Sequence, residues 1–172
     1  MTSMPFDANN VKTTDWGVLG CAAALLLFSL PDSFVTAEIS AEGEMAAMLG
    51  EFDSYGINAW SSYASLGVLL LLAVGALAAA RVFAGVVLPM MAVGWNLVLA
   101  GAAAVGTLLL LVRAFTYSID GADMAGISVD TGPGWSGWLV LLLAVAETVF
   151  AVLAFRDSGE SVPWQQGQQS RP

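Results

Sequence analysis

Histidine is absent from this chain, and cysteine and lysine occur once each, as Cys21 and Lys12. Without histidine, the commonest side-chain ligand of zinc, copper and haem iron is missing. A single cysteine excludes an intramolecular disulfide, dithiol redox chemistry and a multi-cysteine metal site. We therefore predict neither a metal centre nor a cofactor.

Charge is also scarce, since 11% of the 172 residues are charged and 58% are hydrophobic. A soluble domain usually carries about 25% charged residues. So few charges cannot cover a surface that faces water, and lipid must therefore solvate most of the outside. The composition predicts an all-α integral protein of the cell membrane, with the lipid bilayer as its main partner.

The charges that are present are mainly acidic, and the formal net charge is −9. This balance argues against nucleic-acid binding, which requires clustered Lys and Arg. It also argues against a polybasic attachment to anionic lipid headgroups. Two interpretations of the acidic loops stay open: solvation in a salt-rich medium, or capture of divalent cations. The sequence has no Asp-x-Asp-x-Asp-Gly calcium loop.

Four apolar segments predict a four-transmembrane-helix bundle over residues 16–156, since a spanning helix needs about 20 apolar residues. Residues 1–15 are predicted to form a cytoplasmic N-terminal tail, and residues 157–172 a disordered cytoplasmic C-terminal tail. The predicted spans cover about residues 16–33, 60–81, 86–112 and 135–155.

The first apolar segment is short, because only Trp16 to Leu30 is continuously apolar before Pro31 and Asp32. A cleaved signal peptide is the alternative interpretation, with Val35-Thr36-Ala37 as an acceptable cleavage site. The long polar stretch before the apolar run, with its single basic residue, favours a retained span.

The segment between the first two spans contains an apolar helical repeat, formed by Met45, Met48, Leu49 and Phe52. This i, i+3, i+4, i+7 spacing predicts a short amphipathic surface helix, with Ser40 as its N-cap. The helix is expected to lie on the bundle or on the membrane surface. A helix that binds a partner is the alternative.

Basic residues predict the orientation of the chain. If the spans alternate, Lys12, Arg81 and Arg156 fall on one side of the membrane, and Arg113 falls on the other. The positive-inside rule then places both termini in the cytoplasm. The two longer loops, which carry most of the acidic residues, face outward.

Glu147 is the most unusual residue, because it lies within the apolar run of the fourth span, nine residues before Arg156. This spacing places it roughly 13 Å from the inner boundary, where an ionisable side chain is a functional candidate. Asn96 is predicted at a similar depth on the third span and is the expected hydrogen-bond partner, with Arg81 as the competing one. One interpretation is that Asn96 and Glu147 fix helix packing; the other is a proton or cation path.

Small residues occur four positions apart on two predicted spans, as Gly75 with Ala79 and Ala102 with Gly106. Such pairs allow helix backbones to approach closely. They indicate tight packing between helices rather than a specific dimer.

The span ends carry several local patterns, and together they cover about residues 16 to 160. These stretches are Leu27–Pro31, Ala59–Trp60, Ser65–Gly67, Leu108–Phe115, Gly134–Leu139 and Ala154–Asp157. In these patterns the chain resembles uncharacterised four-span membrane proteins that are abundant in actinobacteria. The resemblance implies a four-span fold and no particular activity, and Glu147 departs from the small residues expected midway along the fourth span.

These observations predict a protein that is not an enzyme, because no acid, base and metal ligands converge at one depth. The expected function is that of a non-enzymatic accessory or scaffold subunit, which forms homo-oligomers or joins other membrane subunits. The alternative is a transporter or channel component that uses the intramembrane carboxyl of Glu147 with Asn96.

Overall fold

The computed structural model describes residues 11–41, 55–86, 93–117 and 127–160. Within these ranges four helices alternate with three short strands. In chain order these elements are α1 (Thr13–Phe28), β1 (Val35–Ala41), β2 (Tyr55–Ile57), α2 (Ala64–Ala84), α3 (Trp95–Thr116), β3 (Ile127–Pro133) and α4 (Trp135–Ser158). The amphipathic helix predicted over Met45 to Phe52 lies outside the described residues.

Three of the four helices are long and apolar enough to cross a membrane: α2, α3 and α4, with 21, 22 and 24 residues. At 1.5 Å per residue they are roughly 32–36 Å long, which matches a hydrocarbon core of about 30 Å. Helix α1 is apolar but has 16 residues, so it reaches only about 24 Å. The structure is therefore that of a mainly helical membrane protein with three candidate spans and one shorter apolar helix.

Two of the helix ends are set by glycine in the left-handed region. Gly85 follows α2 with φ of 58°, and Gly159 follows α4 with φ of 68°. Glycine reaches this conformation without the steric penalty that a Cβ brings, and it is a common helix terminator. These stops extend α2 and α4 three residues past the ends predicted at residues 81 and 155.

The helices form a closed ring, in which each one packs on the next in the chain and α4 packs on α1. We call the end of this bundle that carries the strands the sheet end. The opposite end, where α1 begins and α2 connects to α3, is the hairpin end. The side chains that fill the interior are mostly Ala, Val and Leu; they include Val18, Leu25, Val68, Leu71, Val74, Leu99, Ala103, Leu110, Val140, Leu141 and Ala144.

The strands form a three-stranded antiparallel sheet in the order β2-β1-β3. Strand β1 pairs with β3 along its full length, from Val35 opposite Pro133 to Ala41 opposite Ile127. The sheet joins the segment after α1 to the segment after α3, so both segments lie at the same end of the bundle. This sheet was not predicted from the sequence, where both segments were interpreted as loops.

The pattern of β1 explains why the chain is extended there. Val35 and Ala37 are buried, whereas Thr36 is partly exposed and Glu38 is exposed. This alternation is the period of two that a strand presents to a core on one side. The run is only a few residues long and lies in a mostly polar segment, and it was therefore overlooked.

The outward faces of the long helices are apolar, and this is the arrangement that lipid requires. Exposed leucine and valine residues follow one another along α2, α3 and α4. A continuous apolar exterior of this kind is rare on a soluble monomer. It includes Leu66, Leu69, Val105, Leu108, Leu142, Val145 and Val149, each at least 45% exposed.

Candidate functional site

Glu147 lies near the middle of α4 and points into the bundle. Its side chain is 0% exposed, and neither carboxyl oxygen has a hydrogen-bond partner among the described residues. Along the helix it is about 18 Å from Trp135 and about 16 Å from Ser158. A carboxylate in such a place is costly, and a carboxyl group held there adopts the neutral form unless it finds a partner. Glu147 therefore faces the protein interior rather than lipid.

The predicted hydrogen bond between Asn96 and Glu147 is not formed. Asn96 instead lies at the hairpin end, where its Oδ1 accepts a hydrogen bond of 2.8 Å from Nη1 of Arg81. Its Nδ2 donates to a carboxyl oxygen of Glu160 at 2.9 Å. The structure thus brings Asn96 and Arg81 together at the hairpin end, and neither is a hydrogen-bond partner of Glu147. Glu160 was not predicted as a partner of Asn96, because residues 157–172 were expected to form a disordered tail.

Glu160 also satisfies the first turn of α3. Its Oε2 accepts hydrogen bonds from the backbone N–H groups of Asn96, at 3.2 Å, and Leu97, at 3.4 Å. The helix begins after Gly94, which has no side chain that could accept from these N–H groups. Free N–H groups and the helix dipole favour a carboxylate at this position. Glu160 therefore caps α3 from the end of α4.

Glu160→Ala is expected to loosen the start of α3 without unfolding the bundle. The substitution removes a carboxylate worth about 0.3–1 kcal/mol at a helix N-terminus, together with its hydrogen bonds. Amide hydrogen exchange should therefore accelerate in peptides that begin near Trp95 and stay unchanged near Leu110. The exposed Asp157, changed to Ala, is the control. Equal acceleration in both variants would contradict the cap.

A small cavity lies between the four helices near the hairpin end. The volume open to the centre of a water molecule is about 20 Å³, and a single water needs about 10–15 Å³ on this measure. Polar and charged groups from three helices line it together with apolar side chains. The lining residues are Asp15, Val18, Val74, Ala78, Arg81, Asn96, Leu99, Ala151 and Ala154.

Thr107 links α3 to α4 at the depth of Glu147. It was not predicted as a site residue from the sequence. Its Oγ1 donates to the backbone oxygen of Ala144 at 3.0 Å and lies 2.9 Å from Oγ1 of Thr148. Thr148 directly follows Glu147. A lone buried threonine in an apolar span was the available signal, because a hydroxyl in such a place requires an acceptor.

The Cys21 thiol on α1 lies within electrostatic reach of Glu147. It is half-buried and forms no disulfide. The two side chains belong to α1 and α4, which pack on each other. Within the described ranges no cluster of three or more His, Cys, Asp or Glu side chains could hold a metal ion.

Comparisons with protein-family models, with curated proteins and with solved structures found no match. The resemblance to four-span actinobacterial proteins therefore stays a prediction, and the candidate site is defined by its own geometry. That geometry has two parts. One is the buried carboxyl of Glu147, which has no hydrogen-bond partner in the described ranges. The other is the polar network of Arg81, Asn96 and Glu160 at the hairpin end.

Proposed function

We propose that this chain is a non-enzymatic accessory subunit of the cell membrane, with α1 inserted beside the three long helices and both termini in the cytoplasm. The supporting observation is the filled interior on the sheet-end side of Glu147. Leu25, Leu71, Leu110 and Val140 are each 0% exposed there. A core packed to this degree holds a fixed shape and leaves little room for a substrate.

The outer surface of the helix bundle also suits a subunit that is surrounded by lipids and other membrane proteins. The outward faces of α2, α3 and α4 are apolar over most of their length. Inside the hairpin of α2 and α3, Gly67 and Gly106 lie against each other, which brings the two helix backbones close together. Close backbone contact is the usual means by which membrane helices associate. Homo-oligomers and complexes with other subunits both fit this architecture.

A second candidate function is that of a transporter or channel component, and Glu147 favours it. A fully buried carboxyl without a hydrogen-bond partner lowers stability by about 1–3 kcal/mol. Ionisable side chains inside membrane spans commonly belong to ion or proton paths. In this candidate the carboxyl would bind a proton or a small cation and release it on the other side.

Flux measurements on reconstituted vesicles separate the two candidates. For an accessory subunit we expect proton and monovalent cation flux equal to that of empty vesicles, both in the unmodified protein and in Glu147→Gln. Flux in the unmodified protein that disappears in Glu147→Gln would replace the accessory proposal by the transport one. The conservative change keeps the side-chain shape and removes the ability to ionise, so its effect reports on the carboxyl.

A further inference from the structure

The cavity and the buried carboxyl lie next to each other along α4. Ala151 lines the cavity and stands one helical turn beyond Glu147, on the same side of the helix. Ala154 continues the lining towards the hairpin end. A water in this cavity would therefore lie about one turn from the carboxyl.

The opposite direction is filled with apolar side chains. Moving from Glu147 towards the sheet end, the interior positions of α4 are Ala144, Leu141 and Val140, and none is more than 4% exposed. Leu25 from α1 and Leu110 from α3 fill the same half of the core. On this side, a packed apolar layer separates Glu147 from water at the sheet end.

The rim of the cavity is polar. Asp15 from α1, Arg81 from α2 and Asn96 from α3 all line it. Glu160 joins this rim through its hydrogen bonds to Asn96. Water enters a cavity when polar groups there replace its hydrogen bonds. The hairpin end thus supplies both space for water and polar groups within about one helical turn of Glu147.

Few titratable groups face Glu147 from the helices packed against it. Cys21 on α1 lies within electrostatic reach of Glu147, and Asp15, also on α1, lines the cavity. Helix α3 carries a single ionisable residue, Arg113, and its guanidinium lies at the sheet end over the rings of Tyr63 and Tyr117. The remaining charges of α2 and α4 lie towards the hairpin end: Arg81, Arg156, Asp157 and Glu160.

We infer that Glu147 is a proton-binding site that exchanges its proton with water at the hairpin end, through the cavity between the four helices. The proton is the ligand, and the cavity rim is its entrance. This inference goes beyond the accessory role. It rests on the transport candidate and adds the end of the bundle from which protons reach Glu147. It does not require protons to cross the membrane.

The test is infrared difference spectroscopy on oriented vesicles, with Glu147→Gln as the reference that identifies the carboxyl band. A tag fused after residue 172 marks the hairpin end, because α4 runs to that end. Strong buffers hold the pH on the two sides of the membrane independently. The carboxyl C=O band is expected to follow the pH on the hairpin side and to ignore the pH on the sheet side.

Cavity-filling variants test the route itself. Ala151→Val on α4 and Val74→Ile on α2 both add carbon atoms to the lining, and two variants on different helices guard against one that fails to fold. After a pH jump on the hairpin side, the band should respond more slowly, on the order of tenfold. Ala104→Val, at an exposed position of α3, is the matched control and should respond as the unmodified protein does.

The outcomes distinguish proton access to Glu147 from proton transport across the membrane. A band that follows the hairpin-side pH in vesicles without flux supports the inference while the transport candidate fails. A band that follows the sheet-side pH overturns the inference, even if flux depends on Glu147. A band that stays constant at every pH on both sides also overturns it. Equal response times in Ala151→Val, Val74→Ile and Ala104→Val would overturn the cavity as the route.

Discussion

Glu147→Met is expected to make the protein more stable, by about 1–3 kcal/mol, the usual cost of a buried polar group without a hydrogen-bond partner. Both carboxyl oxygens lack a partner in the described structure, and the surrounding side chains are mostly apolar. Methionine has a similar length, and its flexible chain fills an irregular space. Reversible unfolding in detergent micelles, followed by circular dichroism, measures the change.

Two further variants show whether the carboxyl is the cause. Glu147→Gln keeps a polar group in the same place, so its gain in stability should be much smaller than that of Glu147→Met. Leu143→Met, one turn away on α4, exchanges one apolar side chain for another and should change stability by less than about 1.5 kcal/mol. A loss of stability in Glu147→Met would mean that the carboxyl has a stabilising partner. A stabilised Glu147→Met variant would indicate that Glu147 is retained for a reason other than stability.

Gly106→Val is expected to destabilise the hairpin of α2 and α3 by about 1–3 kcal/mol, as side chains forced into a filled core do. A Cβ at Gly106 would lie 2.9 Å from the carbonyl oxygen of Gly67 and 3.1 Å from Cγ of Leu71. A Cβ at Gly67 would in turn lie 2.8 Å from the carbonyl oxygen of Gly106. Backbone atoms cannot move aside as a side chain can, so the two helices must separate.

The same substitution at Gly101 is the control for this prediction. Gly101 belongs to α3 as well, and a Cβ there would have no neighbour within 4 Å. Gly101→Val therefore carries the same change in helix propensity without the collision, and its unfolding midpoint should stay near that of the unmodified protein or rise. Equal losses at both positions would show that propensity, and not helix contact, is responsible.

Much of the helical structure could be predicted, because long apolar runs have one stable arrangement in lipid. The runs that became α2, α3 and α4 were each recognised, and most of their ends differ from the structure by at most four residues. The start of α3 was predicted wrongly, since this helix begins at Trp95 and not at residue 86. A span at helix α1 was harder to predict, because Pro31 and Asp32 follow an apolar run of only about 15 residues. With 16 residues, α1 is shorter than the other three helices.

The sheet escaped prediction for a physical reason. Its central strand β1 depends on partners from two distant parts of the chain, Tyr55–Ile57 and Ile127–Pro133. Strand pairing over such distances leaves only a weak local signal, because the stabilising contacts are with residues far along the sequence. The alternation of Val35, Thr36, Ala37 and Glu38 was present but short.

The candidate site was predicted in part. Depth and composition alone selected Glu147, since an acid amid leucine and alanine is conspicuous in any span. Its surroundings could not be derived in the same way. The predicted depth of Asn96 was wrong, because α3 begins at Trp95 and Asn96 therefore lies in its first turn, at the hairpin end. Glu160 was overlooked because a polar, glutamine-rich tail gives no sign of a residue that caps a neighbouring helix.

The pairing of β1 with β3 also bears on how the protein is made. These strands lie about 90 residues apart in the chain, and loop closure over such a distance slows folding. During synthesis α1 and β1 emerge first, yet β3 and α4, on which they pack, emerge last. The earliest segment must therefore wait for the final helix before its contacts are complete. A ribosome-bound chain that ends before residue 127 should leave β1 unpaired with β3 and open to capture by chaperones or proteases.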